Sequence, residues 1–203
     1  MELFASCCAR DIPTCELFLA DPKCLDFGFA KGSARFWSGM DSMGAIEAFK
    51  QSMMARIEQA NSSDNPDHWN WKILVFDEVA AYITLQTDKK KRAEIQDSIS
   101  AICLLGRGVR HVLVCGLQKA LMEFLNARSQ FGTTVLMGNT ANDKEQVQML
   151  MPTHKEIINE TPNTRGQFWV TADGEGIRRG QVPFITRSSE IQSLIIEGLN
   201  RNA

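Results

Sequence analysis

The sequence predicts an α/β protein in which helices cover both faces of a mostly parallel sheet. Three observations lead there. Short apolar runs alternate with stretches whose apolar residues recur at helical spacing, the strand–helix pattern of layered α/β folds. The runs ELFLAD (16–21), KILVF (72–76), HVLVCG (111–116) and TTVLMG (133–138) are too short for buried helices and too continuously apolar for one-sided strands. The run at 72–76 ends in two acids, Asp77 and Glu78, at the place where open α/β sheets bind their ligands.

Each element follows in order. Residues 2–10 read as a short helix that stops near Pro13, and 15–21 as a buried strand ending in Asp21-Pro22-Lys23. The stretch 24–40, rich in glycine and aromatics, reads as a loop with a turn. From Asp41 to about Ala60 the residues Ile46, Phe49, Met53 and Ile57 mark one helical face, with Asp41 or Ser42 as the cap. NSSDNPDHWN (61–70) has loop composition. A second amphipathic helix runs from Lys89 to Leu105 and ends at Gly106 and Gly108. Leu121, Phe124 and Leu125 mark a short helix, and 141–151 reads as helical up to Pro152. RGQFWVT (165–171), a turn at Asp173-Gly174 and QVPFIT (181–186) predict a late β-hairpin. Residues 188–200 close the chain as an amphipathic helix. With no internal repeat, low-complexity tract or linker, residues 1–203 read as one domain.

Composition bounds the function. At 203 residues the chain can bury one substantial core. Hydrophobic residues at 44% and charged residues at 23% are ordinary for a globular protein. A net charge of −2 argues against a surface broadly basic for nucleic acid, though not against a local strip of phosphate contacts. No segment approaches the roughly 20 apolar residues that span a bilayer. The six cysteines lack paired metal spacing and disulfide-scaffold density, which predicts a reducing cytoplasm and no zinc site.

The acids after 72–76 carry the sharpest signal. Four apolar residues, Ile73 to Phe76, bury the strand, and Asp77 and Glu78 emerge at its end. The same pattern also describes a strand that happens to end in two solvated carboxylates. Gln118 follows the next buried run, as either a ligand-sensing polar group or an ordinary helix-start residue. His68, His111 and His154 show no metal-ligand spacing.

Taken together, four segments resemble the FtsK/SpoIIIE/HerA family of DNA-pumping ATPases. They are LFLADPKCLDFGF, LVFDEVAAY, LLGRGVRHVLVCGLQ and FLNARSQFGTTVLMG, in family order and with compatible gaps. The likeness covers about residues 3–138 closely and the last third loosely. It implies a RecA-like three-layer fold and ATP-driven translocation of double-stranded DNA by a homo-oligomeric ring. It further implies that Asp77 holds Mg2+ through water, Glu78 activates the attacking water, and Gln118 senses the γ-phosphate of ATP. Arg107 falls where the family places an arginine that reaches a neighbouring subunit's nucleotide, with Arg128 as a second candidate. Asp21 and Lys23 belong to a family motif of unassigned role. Lys89-Lys90-Lys91-Arg92 and Arg178-Arg179 are either phosphate contacts or solvated faces.

Two departures stand against this pattern. The sequence contains no G-x-x-x-x-G-K-[ST] loop, and the family's Gln-Arg-Pro stands here as Gln118-Lys119-Ala120. The resemblance thus predicts a partial motor domain whose central P-loop strand is missing between 111–116 and 133–138, and weak ATP binding by this chain alone. The rival expectation is a nucleotide-dead interaction subunit, or a truncated reading frame, that keeps the fold.

Overall fold

The computed structural model describes residues 1–62, 68–119, 130–161, 163–172 and 175–202, apart from the side chain of Leu3. The helix expected at 121–125, Arg128 and the turn at 173–174 lie outside these residues. The chain order is α1 (Glu2–Asp11), β1 (Glu16–Asp21), β2 (Phe36–Ser38), α2 (Met43–Asn61), β3 (Lys72–Phe76), α3 (Val79–Leu85), α4 (Lys89–Leu105) and β4 (His111–Cys115). There follow β5 (Thr133–Met137), α5 (Lys144–Leu150), α6 (Lys155–Glu160), β6 (Gln167–Ala172), β7 (Arg178–Gln181) and α7 (Ser188–Asn200). No composition shift marks a linker, yet contacts gather into two compact units, Met1–Leu117 with Arg187–Ala203, and Gln118–Thr186.

The first unit is built on a four-stranded sheet in the order β2-β1-β3-β4, with every pairing parallel. Side chains alternate across it. Leu17, Leu19, Ile73 and Val75 point to one face and pack with Ala5 and Ala9 of α1 and with Ile195 and Leu199 of α7. Phe18 points the other way and meets Phe49 of α2 edge-on, with ring centroids 5.1 Å apart. Ile46 and Met53 of α2 and Ile95, Ile99 and Ile102 of α4 are buried as well. Helices therefore cover both faces, which is why β1 is buried at all six positions while β4, at the sheet edge, is only half-buried over Val112–Cys115. This is the mixed α/β, largely parallel architecture of the RecA-like P-loop fold that the sequence predicts.

Local chemistry sets the element ends. Asp88 caps α4 by accepting the Lys90 N–H at 2.8 Å. Ser42 occupies the cap position of α2 without a side-chain hydrogen bond. Within the stretch expected as loop, Phe36–Ser38 forms the edge strand β2, which pairs with Leu19–Asp21 of β1. Arg35 secures that edge by donating to the Leu17 carbonyl and to that of Arg201.

The second unit is a three-stranded antiparallel sheet, β5-β6-β7, on a core of Leu136, Ala141, Val147, Met151, Ile158 and Trp169. Three expectations change here. The second hairpin strand is Arg178–Gln181 rather than 181–186: Pro183 has no N–H for a ladder, and Phe184 is 92% exposed. Strand 133–137 runs antiparallel to β6 instead of extending the parallel sheet. Among the described residues, β4 pairs with β3 alone and leaves its other edge without a strand. The segment expected as one helix at 141–151 is a short 3-10 turn followed by α5, which Asp143 caps through the Glu145 and Gln146 N–H groups.

Candidate nucleotide site at the carboxyl end of the parallel sheet

The sheet ladder runs one step past β3 and thereby places Asp77. Its N–H donates to the Ala20 carbonyl of the neighbouring strand at 2.9 Å, and Gly116 N–H donates to Phe76 at 2.9 Å. The Asp77 side chain lies over Gly116, where an added Cβ would stand 2.8 Å from Oδ1. Only a glycine permits that approach. Asp77 is 9% exposed, and its pKa is pushed up to about 6. Burial is the main cause, the charge of Asp26 adds to it, the chain's terminal ammonium opposes it, and Glu78 and Asp21 push the same way as Asp26.

Glu78 adopts the left-handed conformation, φ 49° and ψ 49°, uncommon for a residue other than glycine. This bend turns the chain from β3 into α3 and takes Glu78 off the strand's alternation. Lys23 Nζ stands 3.5 Å from Glu78 Oε1, so the β1 and β3 ends are joined by an ion pair. Asp21 is completely buried, and its Oδ2 accepts the Phe27 N–H at 3.0 Å. Its Oδ1 has no hydrogen-bond partner. Asp21, Lys23, Asp77 and Glu78, read from two separate motifs, thus come together at one end of the sheet.

The remaining candidates lie elsewhere. Arg107 is exposed in the short turn ahead of β4, at the amino end of the sheet. Five strand residues, about 16 Å, separate that end from the Asp77 end, so the two do not meet within one chain. Gln118 is exposed and opens the second unit. Lys89, Lys90 and Lys91 are exposed on the first turn of α4, whereas Arg92 donates to the Gln86 carbonyl. Arg178 pairs with Glu175 at 2.9 Å, and Arg179 donates to Gln167 and lies over the Trp169 ring. His111 is buried, with Nδ1 against the Val109 carbonyl and Nε2 against Ser52 Oγ; burial lowers its pKa to about 4. Sequence reading passed over Gly116 and Asp26. Gly116 was visible as the small residue closing HVLVCG, but nothing local brings Asp26 toward Asp77.

The donor set suits a hydrated divalent cation. Asp26, Glu78 and Asp21 each act on the Asp77 carboxylate, and Lys23 pairs with Glu78. The Asp21 oxygen without a donor marks unmet demand for positive charge or a water proton. Among the described residues, no group of three or more His, Cys, Asp or Glu side chains could hold a metal directly. All six cysteines are free, and no described helix is long and apolar enough to cross a membrane.

Comparison with known proteins bears on the fold. No protein-family model matches the sequence, and no curated protein does. Solved structures do match. The conjugation coupling protein TcpA of pCW3, in monomer form with ATPγS, superposes with a TM-score of 0.70 at 16% identity, over 91% of this chain and 57% of that one. The cytoplasmic domain of the Thermomonospora curvata type VII secretion ATPase EccC gives 0.56 at 13% identity, over 92% of this chain and 24% of that one. The genome-packaging NTPase B204 of Sulfolobus turreted icosahedral virus 2, in complex with ATPγS, gives 0.54 at 10% identity, over 89% and 88%. The chain spans little more than half of the coupling protein's length and a quarter of EccC's. Motif order and superposition agree that this chain has the fold of an FtsK-type P-loop ATPase domain.

Proposed function

We propose that this chain is the Asp-Glu-bearing part of an ATP-driven motor that moves double-stranded DNA, acting in the cytoplasm as a ring of like subunits. The observation that carries the reading is the Asp77–Glu78 pair at the carboxyl end of β3, beside Asp21 and Lys23 of β1. ATP with Mg2+ would supply the phosphoryl group and the charge that stabilises its transfer. Asp77 would hold the hydrated cation through its buried carboxylate. Glu78 accepts the proton of the attacking water. Gln118 contacts the γ-phosphate, and Arg107 serves the nucleotide of the next subunit, a role supported by its distance from its own chain's Asp77. The exposed Lys89–Lys91 turn is suited to phosphate contacts along duplex DNA. TcpA, a conjugation coupling protein, and B204, a genome-packaging NTPase, support a DNA-handling role, and EccC supports an ATPase of this fold in secretion.

The test is a separation of ATP binding from ATP turnover. Glu78→Gln should bind ATP with unchanged affinity while hydrolysis falls by about 100-fold or more, the usual scale for a general base. Wild-type turnover in that variant would remove Glu78 from the role. Absence of both ATP binding and hydrolysis in the wild-type protein would favour an interaction subunit that keeps the fold.

A further inference from the structure

We propose that Arg56 and Arg110, held over Trp69 and Trp71 at the amino end of the parallel sheet, form a binding site for phosphate groups. The site lies at the end opposite Asp77 and Glu78. It goes beyond the motor reading and does not depend on ATP turnover.

The backbone brings these residues together. The sheet ladder begins one step ahead of its strands: the Glu16 N–H donates to the Trp71 carbonyl and the Lys72 N–H to that of Arg110, both at 2.9 Å. Trp69-Asn70-Trp71 therefore lies beside the turn that ends at Arg110, and the last turns of α2 bring Arg56 to the same end. Arg56 ties the two segments. Its Nη1 donates to the Asn70 carbonyl at 2.8 Å and to the Val109 carbonyl at 3.1 Å, and its guanidinium lies 5.3 Å from the centre of the Trp69 ring. Arg110 repeats the device one residue along. Its Nη1 donates to the Trp69 carbonyl at 3.0 Å, and its guanidinium lies 5.5 Å from the centre of the Trp71 ring.

This arrangement leaves Arg56 held but not neutralised. Two carbonyls take up both hydrogens of Nη1, and the Nε and Nη2 donors have no acceptor among the described residues. Among the same residues no carboxylate stands within ion-pair distance of Arg56. Glu16, the acid that acts on it, is 3.2 Å from Lys72 Nζ and 3.9 Å from Arg35 Nη1. Burial holds the Arg56 pKa below its usual value; Glu16 opposes this, and the charge of Arg110 adds to it. Two guanidiniums thus repel across a half-buried surface. A guanidinium already stacked on an indole and fixed by carbonyls loses little freedom when it meets an oxyanion. The two oxygens of a carboxylate fill one such fork. A phosphate group carries more oxygens and more charge, enough to serve both arginines and relieve their repulsion.

The probes are inorganic pyrophosphate, by isothermal titration, and a fluorescent twelve-residue oligothymidylate, by anisotropy. Both are titrated into the 203-residue chain with a chelator present, which keeps divalent ions from the Asp77 end. Wild type should bind at least one probe, and the probe bound identifies the source as a free phosphate compound or a nucleic-acid strand. Arg56→Gln should weaken that binding by about tenfold or more, the scale of one charge-assisted forked contact. Arg56→Lys, which keeps the charge and loses the fork, should fall between. Circular dichroism checks folding, and Arg110→Gln, on a separate segment, carries the test should Arg56→Gln fail to fold. A variant with Lys89, Lys90 and Lys91 all changed to Gln should bind pyrophosphate as wild type does. No binding of either probe by wild type would overturn the proposal, as would wild-type affinity in the folded Arg56→Gln and Arg110→Gln variants. A loss of pyrophosphate binding in the triple lysine variant as large as that in Arg56→Gln would place the contact on α4 and overturn it too.

Discussion

Asp77 is the residue at which burial and chemistry conflict most. Its carboxyl would titrate near 3.8 in an unfolded chain and does so at about 6 in the folded one. The folded state thus binds more protons between those values, and stability falls as pH rises from about 4 to about 6. Above that window the ionised carboxylate carries the full penalty. Asp77→Asn removes it and should stabilise the chain at pH 7 by about 1–3 kcal/mol, with the gap closing near pH 4. Denaturant titrations at the two pH values check this, and an equal gap at both would refute the burial account. At this scale the sequence was legible where chemistry is local. Asp77 and Glu78 announce themselves because four apolar residues precede them. The Lys23–Glu78 pair was not legible, because it is a tertiary contact between distant segments that only the β1–β3 pairing creates.

At the scale of elements, the α7–β1–α1 sandwich shows how tightly the first unit is packed. A Cβ on Gly198 would stand 2.8 Å from Leu17 Cδ1 and 3.2 Å from Ala9 Cβ. Gly198→Val should therefore destabilise by about 1–3 kcal/mol, the usual cost of overpacking, read as a lowered melting temperature. A melt at or above that of wild type would mean that α7 does not sit closely on β1. Helices with long periodic faces, α2, α4 and α7, were legible to within about two residues, since each spans several turns of one apolar stripe. Strand β2 was not: three residues in a glycine- and aromatic-rich stretch have no period, and only pairing with the buried β1 makes them a strand. The 181–186 misreading has the opposite cause, an apolar run that Pro183 and a missing ladder partner leave outside the sheet.

For the whole molecule, the two sheets each end, among the described residues, on an apolar strand. β4 carries half-buried Val112, Leu113 and Val114, and β5 leaves Val135 and Met137 each 48% exposed. Unpaired apolar edges recruit other strands. The 203-residue chain should consequently self-associate with rising concentration in light scattering, and Val135→Lys should reduce this while changing stability by no more than about 0.5 kcal/mol. A monodisperse wild-type monomer at high concentration would count against open edges. The antiparallel company of β5 was not legible, because an apolar run does not declare the direction of its partner.

The central claim is that the carboxyl ends of β1 and β3 form the cation and nucleotide end of a motor domain. Iron-directed cleavage tests it most directly: Fe2+ replaces Mg2+ in the presence of ATP, and ascorbate with peroxide then cuts backbone near the bound ion. Cuts are expected at residues 76–79 and 20–24, absent in Asp77→Asn and quenched by excess Mg2+. Nucleotide-dependent cuts confined to other segments, or cuts at 76–79 that persist unchanged in Asp77→Asn, would contradict it.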